Sequence, residues 1–574
     1  MSFNNFGNQF GSNFGKQFNN DVQKLRRSPL AITLISLVIA GGILVSISSF
    51  YADLLWFNSV GYTSVWKTTL FTKTMLFIVV GLLTALIVSA NVVIAYKRRP
   101  IYAPMAVEAD NLERYRSQIE PKKKLFLAGI FAVIFYMAGS SATPFWSQWL
   151  QFKNATSFGT KDPQFGLDIS FFAFKLPVYQ SIIGWATTTL IIALLGAVVT
   201  HYLYSGLRIP VRGIPGENTT VAARVQLSVL LGLIVLTKAG AYWMDRYALE
   251  LKQGKLITGL TYTDVNALLP AKAILAGIAL VCAALFFANI VRRSWSLPVL
   301  GIGLLLASSL VIETIYPALI QQFQVKPSES NKEAPYIQRN IDATRAAFGL
   351  NNVSVKDYNA TVSATAGQLV NDANTIANIR LMDPNVLSAT FRQLQQIKPY
   401  YMFADTLDID HYQINNTQRD TVVAVRELNI EGNPVRNWIN DHLVYTHGFG
   451  FVAAYGNTVD ADGKPNFVVG DLPPTSGLGK FEPRIYFGEN VPDYSIIGGN
   501  SKTDVEFDYP DDTSANGQKN TTYKGKGGVP MGSLFNRLVF TIKYQEQRIL
   551  LSNLINSESK ILFNRNPRER VAKV

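Results

Sequence analysis

Thiol chemistry is nearly absent from these 574 residues: the one cysteine, Cys282, lies within an apolar run. Neither an intrachain disulfide nor a cysteine-based metal cluster can form. Histidine is scarce too, with four in all. No HExxH, CxxC, GxSxG or GxxxxGK[ST] pattern occurs in a fitting context. The familiar signatures of zinc hydrolases, thiol oxidoreductases, serine hydrolases and P-loop enzymes are missing. A non-enzymatic role without a cofactor is the leading expectation.

Charge is sparse and unevenly spread. Residues 320–574 hold 26 Lys+Arg against 27 Asp+Glu, whereas the first 319 hold 27 against 13. The basic excess therefore belongs to the apolar half. There the rule that cations stay on the cytoplasmic side of a membrane accounts for it, and no nucleic-acid partner is expected.

What is present is a series of long apolar runs. Leu30–Tyr51 is 22 residues without a charge. At 1.5 Å per residue such a helix crosses a hydrocarbon core of roughly 30 Å. Spans read near 30–51, 75–96, 125–146, 176–204, 225–243, 273–291 and 297–316. The last, LPVLGIGLLLASSLVIETIYP, closes the apolar half; beyond it the chain is polar and turn-rich. Alternate loops carry 17 cations against 9, which makes the N-terminus cytoplasmic and residues 320–574 extracytoplasmic. The expected fold is an N-terminal α-helical transmembrane bundle, seven spans with N inside and C outside, followed by an α+β extracytoplasmic domain. Residues 1–29, rich in Asn, Gly and Phe, read as a disordered cytoplasmic tail. Residues 30–319 then form the transmembrane domain and 320–574 the outer one. The exit from the first span, Tyr51–Thr72, reads as a helix and turn on the membrane surface.

Ionisable groups inside spans are costly and therefore mark candidate sites. Lys238 and Glu313 lie at similar depth in the fifth and seventh spans, so an ion pair between them is allowed. That pair carries a transporter or channel reading. A snorkelling lysine and an interfacial acid form the structural alternative.

In the outer half, helices are expected over Pro335–Phe348, over the stretch capped by Asp383 and started by Pro384, and over Leu534–Leu554. Strands are expected at Thr421–Ile430, Asn466–Val469, Arg484–Phe487 and Asp504–Tyr509. Asp408, Asp410 and His411 are candidate donors to a divalent metal. Asp441, His442 and His447 form a second candidate binding group. Together they carry the reading of an outer-face metal-dependent enzyme. Asp460-Ala461-Asp462-Gly463 starts like a calcium loop, but position twelve is Val469 instead of Glu, so a turn between strands is expected.

RNIDATRAAFGL (339–350), NIRLMDP (378–384), LVYTHGFGFVAAYGN (443–457), PRIYFGE (483–489) and YADLLWFNSVGYTSVW (51–66) resemble the bacterial membrane proteins of uncharacterised protein family 0182. The resemblance covers nearly the whole chain apart from the tail. It implies an actinobacterial-type, multi-pass cell-membrane protein with a large outer domain, and it implies no activity or site residue. Members of the family run further than Val574, so the chain is expected to be part of a longer protein. The leading function is a membrane-anchored envelope protein. Its partners are the lipid bilayer and envelope polymer or other envelope proteins.

Overall fold

A computed structural model describes residues 29–100, 115–207, 219–254, 257–292, 296–357, 363, 365–371, 379–499 and 504–574. The Asn/Phe-rich tail lies outside the described residues. Among the described residues seven helices are long and apolar enough to cross a membrane, numbered here as spans 1–7. They are Thr33–Ser59, Thr63–Lys97, Tyr115–Lys153, Phe171–Leu203, Val221–Leu251, Asp264–Arg292 and Ser296–Ala347. Most outrun the apolar stretch that announces them, because a charge ends a hydrophobic run without ending a helix. Span 7 continues helically for 52 residues. The helix expected over Pro335–Phe348 is therefore its continuation and not a separate element.

The chain divides into two compact units: Met1–Trp66 with Tyr358–Val574, and Lys67–Asp357. In the helical unit, Leu275, Ala279, Cys282 and Phe286 of span 6 pack against Val235, Ala239 and Tyr242 of span 5. Spans 2 and 3 approach through glycine: a Cβ on Gly81 would sit 2.6 Å from the Phe135 carbonyl oxygen. Small residues let helix backbones touch where lipid supplies no hydrophobic drive. Polar pairs stitch the same helices. Trp185 Nε1 donates to Thr84 Oγ1 (2.8 Å), Thr187 to Thr237 (2.9 Å) and Asn289 to Ser228 (2.7 Å). Gln226 Nε2 donates to the Asn91 carbonyl (2.9 Å) and its Oε1 meets His201 Nε2 (3.0 Å). π-Helical turns open spans 4 and 6, at Phe171–Lys175 and Asp264–Leu268, and interrupt span 7 at Ser309–Ile315 and Ile320–Val325. Beyond the apolar run, span 7 is tied to the 257–264 loop. Glu333 accepts from Tyr262 N (3.0 Å) and Asn340 donates to the Thr258 carbonyl (2.9 Å).

The other unit is rich in β-structure. Its strands are β1 (Tyr401–Met402), β2 (Asp408–Ile414), β3 (Thr417–Val425), β4 (Glu427–Leu428), β5 (Gly448–Phe449), β6 (Phe451–Val459) and β7 (Pro465–Gly470). Then follow β8 (Thr475–Ser476), β9 (Arg484–Ile485), β10 (Tyr494–Ile497), β11 (Glu506–Pro510), β12 (Gln518–Thr521), β13 (Val529–Pro530) and β14 (Lys560–Phe563). The largest sheet has order β2-β3-β6-β7-β8 and is antiparallel throughout. Its face packs on helix α1 (Pro384–Gln395) through Phe391, Val422, Val452 and Ala454. Asp383 caps that helix by accepting from Asn385 N (2.9 Å), as expected. The 460–464 segment is the β6–β7 turn: Asp460 Oδ1 accepts from Asp462 N and Lys464 N, both at 2.9 Å. The expected Leu534–Leu554 helix is broken at Gln545, whose φ is 53°. It yields α2 (Leu534–Tyr544) and a short turn at Arg548–Leu551. Helix α3 (Pro567–Lys573) follows β14.

The core of this unit includes the end of span 1. Ala52, Trp56 and Phe57 are buried with Trp438, Tyr494, Val539, Phe540, Ile561 and Phe563. Trp56 retains 2% of its exposure. Asp53, one turn earlier, pairs with Lys573 (3.0 Å) and Lys543 (3.8 Å). Trp56 and Phe57, in the segment after Tyr51, thus turn into a protein core, while Tyr62 and Phe71 of the same segment are exposed. Amphipathic aromatic sequence suits a protein core and a membrane surface alike. Between Thr33 and Ile47, by contrast, every side chain is exposed.

Replacing Trp56 with Ala removes a buried indole, and such changes cost about 3–5 kcal/mol. Thermal unfolding of the purified chain should show that loss, with little change for Leu44→Ala on the exposed part of the same helix. Equal effects of the two would refute the assignment of Trp56 to the core.

Candidate functional site

Two polar clusters stand out, one in each unit. The first lies where spans 5, 6 and 7 converge. Asp245 follows the apolar part of span 5, Lys272 opens that of span 6, and Glu313 sits in the Ser309–Ile315 π turn of span 7. Lys272 Nζ lies 2.5 Å from Glu313 Oε1 and 3.3 Å from Asp245 Oδ2. Ser309 Oγ donates to the second Glu313 oxygen at 3.2 Å. The Lys272 side chain keeps only 12% of its exposure. A π turn adds a residue to the helical repeat and re-aims the side chains around it, and such turns recur at functional positions. Here it carries the acid.

Glu313 pairs with Lys272 and not with Lys238, the alternative that the sequence allowed. Lys238 Nζ instead sits 4.8 Å from the centre of the Tyr242 ring, and Lys272 Nζ approaches that ring at 5.3 Å. The cation that Glu313 uses was passed over because Lys272 falls at the rim of an apolar run, where it reads as a loop residue. Asp245 was hidden by the same boundary. Nearby, Asp264 is wholly buried and accepts from Lys252 Nζ (2.7 Å), Thr261 N (3.0 Å) and Thr261 Oγ1 (2.8 Å).

The second cluster is in the β-rich unit. His447 is 1% exposed. Its Nδ1 meets Thr446 Oγ1 at 2.9 Å and its Nε2 lies 3.4 Å from Asp508 Oδ1. Asp508 is gripped by the Arg484 fork, with both N–H···O distances at 2.8 Å. Burial alone would raise the Asp508 pKa. Hydrogen bonds from His447 and Arg484 overcome that and hold the carboxyl below its usual range. Glu506 takes four donors: Thr446 Oγ1 (2.9 Å), Tyr486 Oη (3.0 Å), Gly498 N (2.9 Å) and Tyr523 N (2.9 Å). Arg565, 2% exposed, donates to the Tyr486 carbonyl (2.9 Å), Ser495 Oγ (2.7 Å) and the Thr446 carbonyl (2.6 Å). Burial pushes its pKa down to about 10, so it stays charged at neutral pH. Each charged side chain here is hydrogen-bonded, and Glu506 also lines a small pocket with Leu443, Gly498, Gly499 and Thr522. The cluster's chemistry is cohesion: it ties β10, β11 and β14 to the 443–448 segment.

The remaining candidates lie apart from it or from each other. His442 stacks on Tyr494 with ring centres 4.0 Å apart, and its Nδ1 meets the Tyr494 carbonyl oxygen at 2.9 Å. Asp441 accepts both close contacts from Arg436 Nε, at 3.0 and 2.9 Å. Asp408, Asp410 and His411 are exposed on the edge strand β2. Alternation points successive residues of a strand to opposite faces, so Asp410 and His411 diverge. His411 reaches Asp420 across the pair at 3.6 Å. Among the described residues no group of three His, Cys, Asp or Glu is arranged to hold a metal. Charged side chains on a sheet edge also discourage strand addition from another chain.

Comparison with known proteins adds the family. The model for the uncharacterised protein family UPF0182 matches residues 30–574. The chain belongs to UPF0182. It is 47% identical over 551 residues to a UPF0182 protein of Streptomyces coelicolor, covering 95% of this chain and 54% of that one. Against a UPF0182 protein of Frankia alni the figures are 48% over 530 residues, 91% and 51%. Against one of Clavibacter sepedonicus they are 43% over 554 residues, 96% and 56%. The chain spans about half the length of the curated UPF0182 relatives it matches. No solved structure matches it.

Two buried groups in the β-rich unit contribute to its acid response. Burial lowers the His442 pKa from 6.5, so the unfolded chain takes up that proton more readily. Stability from this group is complete above about pH 6.5 and falls as the pH drops through its depressed value. Asp508 behaves likewise at lower pH: its contribution is complete above about pH 4 and is lost as the pH falls through its lowered value. Unfolding temperature should therefore decline in two stages on acidification. The first stage should vanish in His442→Gln and the second shrink in Arg484→Met. A flat profile in the wild-type chain from pH 7 to pH 5 would exclude the role given to His442.

Proposed function

We propose that the chain is part of an integral cell-membrane protein whose β-rich unit acts as a binding or assembly module outside the cytoplasm. The observation that carries this reading is the burial of Trp56 and Phe57, at the end of span 1, in the β-rich core. A module whose core incorporates the end of a membrane-type helix is anchored by construction, not by a flexible tether. Seven spans leave the chain ends on opposite sides, and the 17-to-9 excess of loop cations supports a cytoplasmic N-terminus. The near balance of charge over residues 320–574 suits an uncharged or mixed polymer, or another envelope protein, better than a nucleic acid.

Asp462 in the β6–β7 turn is exposed and serves as a reporter. Asp462→Cys should react with a membrane-impermeant maleimide in intact cells. Labelling only after permeabilisation would overturn the orientation. The wild-type chain in lipid nanodiscs should co-sediment with isolated cell-wall polymer. Failure to do so would remove the polymer from the partner class and leave envelope proteins, to be sought by in-cell crosslinking from the same turn.

A second reading, ion or proton movement through the helical unit, is favoured by the Asp245–Lys272–Glu313 cluster. The cluster joins three spans and includes an acid in a π turn. In pyranine-loaded liposomes under a membrane potential, Glu313→Gln should abolish proton flux with reconstitution unchanged. Equal flux for variant and wild type would end that reading.

A further inference from the structure

Span 1 is a depth gauge for the β-rich unit. From Leu30 to Phe50 it carries no charge, and its first charge is Asp53. Twenty residues at 1.5 Å match a hydrocarbon core of roughly 30 Å, so Phe50 and Tyr51 fall at the lipid–water boundary when Leu30 lies at the other. Phe50 packs on Trp66 with ring centres 4.8 Å apart. Aromatic rings of this kind gather at headgroup level.

Helix α2 meets span 1 at that depth. The Phe535 ring stands edge-on to Tyr51 at 5.3 Å, and Lys543 near the other end reaches Asp53 at 3.8 Å. These contacts are roughly 12 Å apart along α2 and about 3 Å apart along span 1, so the two helices cross steeply. With span 1 near the bilayer normal, α2 runs close to the membrane plane. One face of α2 places Val539 and Phe540 in the core. Its other edge leaves Leu534 74%, Phe535 59% and Leu538 42% exposed. The polar residues between them turn away: Asn536 donates to the Pro530 carbonyl (3.0 Å) and Arg537 Nε to the Met531 carbonyl (3.1 Å). What remains is an apolar edge at the level of an aromatic belt.

We propose that this edge of α2, Leu534, Phe535 and Leu538, is seated in the lipid leaflet beside the β-rich unit, at the boundary between headgroups and acyl chains. The occupant is lipid. An amphipathic helix lying in the interface plane buries its apolar side some 5–10 Å deep. Seating α2 there gives the β-rich unit a second membrane contact beside span 1 and fixes its tilt. The inference rests on span 1 crossing the bilayer.

Nitroxides on single cysteines, in a Cys282→Ser background reconstituted into phosphatidylglycerol–phosphatidylethanolamine liposomes, separate the two claims. Oxygen, which concentrates in lipid, and a nickel chelate, which stays in water, compete to relax the label. Leu534→Cys and Leu538→Cys should favour oxygen, at lesser depth than Ile43→Cys in span 1, while Asp462→Cys should favour nickel. If Ile43→Cys favours oxygen but both α2 labels take nickel as freely as Asp462→Cys, the seating is wrong and the span stands. If Ile43→Cys also favours nickel, the spanning reading itself fails. Labels on α2 shielded from both agents would show a protein contact, such as a second copy, in place of lipid.

Discussion

The β-rich unit is organised by the indole of Trp56. A membrane-type helix that leaves lipid must still find partners for its last turns. Here they are the side chains of Trp438, Tyr494, Val539 and Phe540. Cations complete the arrangement. Arg570 and Lys573 of α3 lie over the Trp56 ring at 5.5 Å, and Lys573 also pairs with Asp53. The ring supplies apolar area and a cation-attracting face at once. Burial draws the Lys543 pKa below the usual lysine range while Asp53 opposes the shift, so the carboxylate is what keeps that buried cation tolerable.

The two units settle buried charge differently. In the β-rich unit, Asp508, Glu506 and Arg565 are saturated with short hydrogen bonds, the condition under which ionic groups inside a protein hold a structure together. In the helical unit one lysine serves two carboxylates, and Lys238 stands beside the same tyrosine without pairing with Glu313. That cluster carries formal asymmetry, one cation to two acids, where the β-rich network is closed.

Long apolar runs made the seven helices plain, because sustained hydrophobicity has few other outcomes. Helix ends were less legible: a charge bounded each run on paper, while Asp245 and Lys272 sit within continuing helix and pair there. The Asp383–Pro384 start of α1 was readable, since cap and first-turn residue act locally. Strands β1, β2, β5, β6, β8, β10, β12, β13 and β14 were not anticipated. Asp408–His411 looked like metal ligands because acidic residues on an edge strand share their composition with a coordinating loop. His447 reads as a binding candidate in the sequence, but its partners Glu506 and Asp508 come from some 60 residues away, and spacing in sequence holds no trace of that pairing. The fusion of span 1 with the β-rich core was invisible for the same reason.

The contact between Asp53 and Lys573 joins residues 520 apart in the chain. At synthesis rates of roughly 5–20 residues per second, Trp56 and Phe57 emerge about half a minute to two minutes before the residues that cover them. During that interval the aromatic end of span 1 is without its core partners, and closing so long a loop is itself slow. Assembly of this unit therefore has an obligatory waiting period. A membrane surface or a chaperone that shelters two exposed aromatic rings would govern its yield more than the stability of the finished fold.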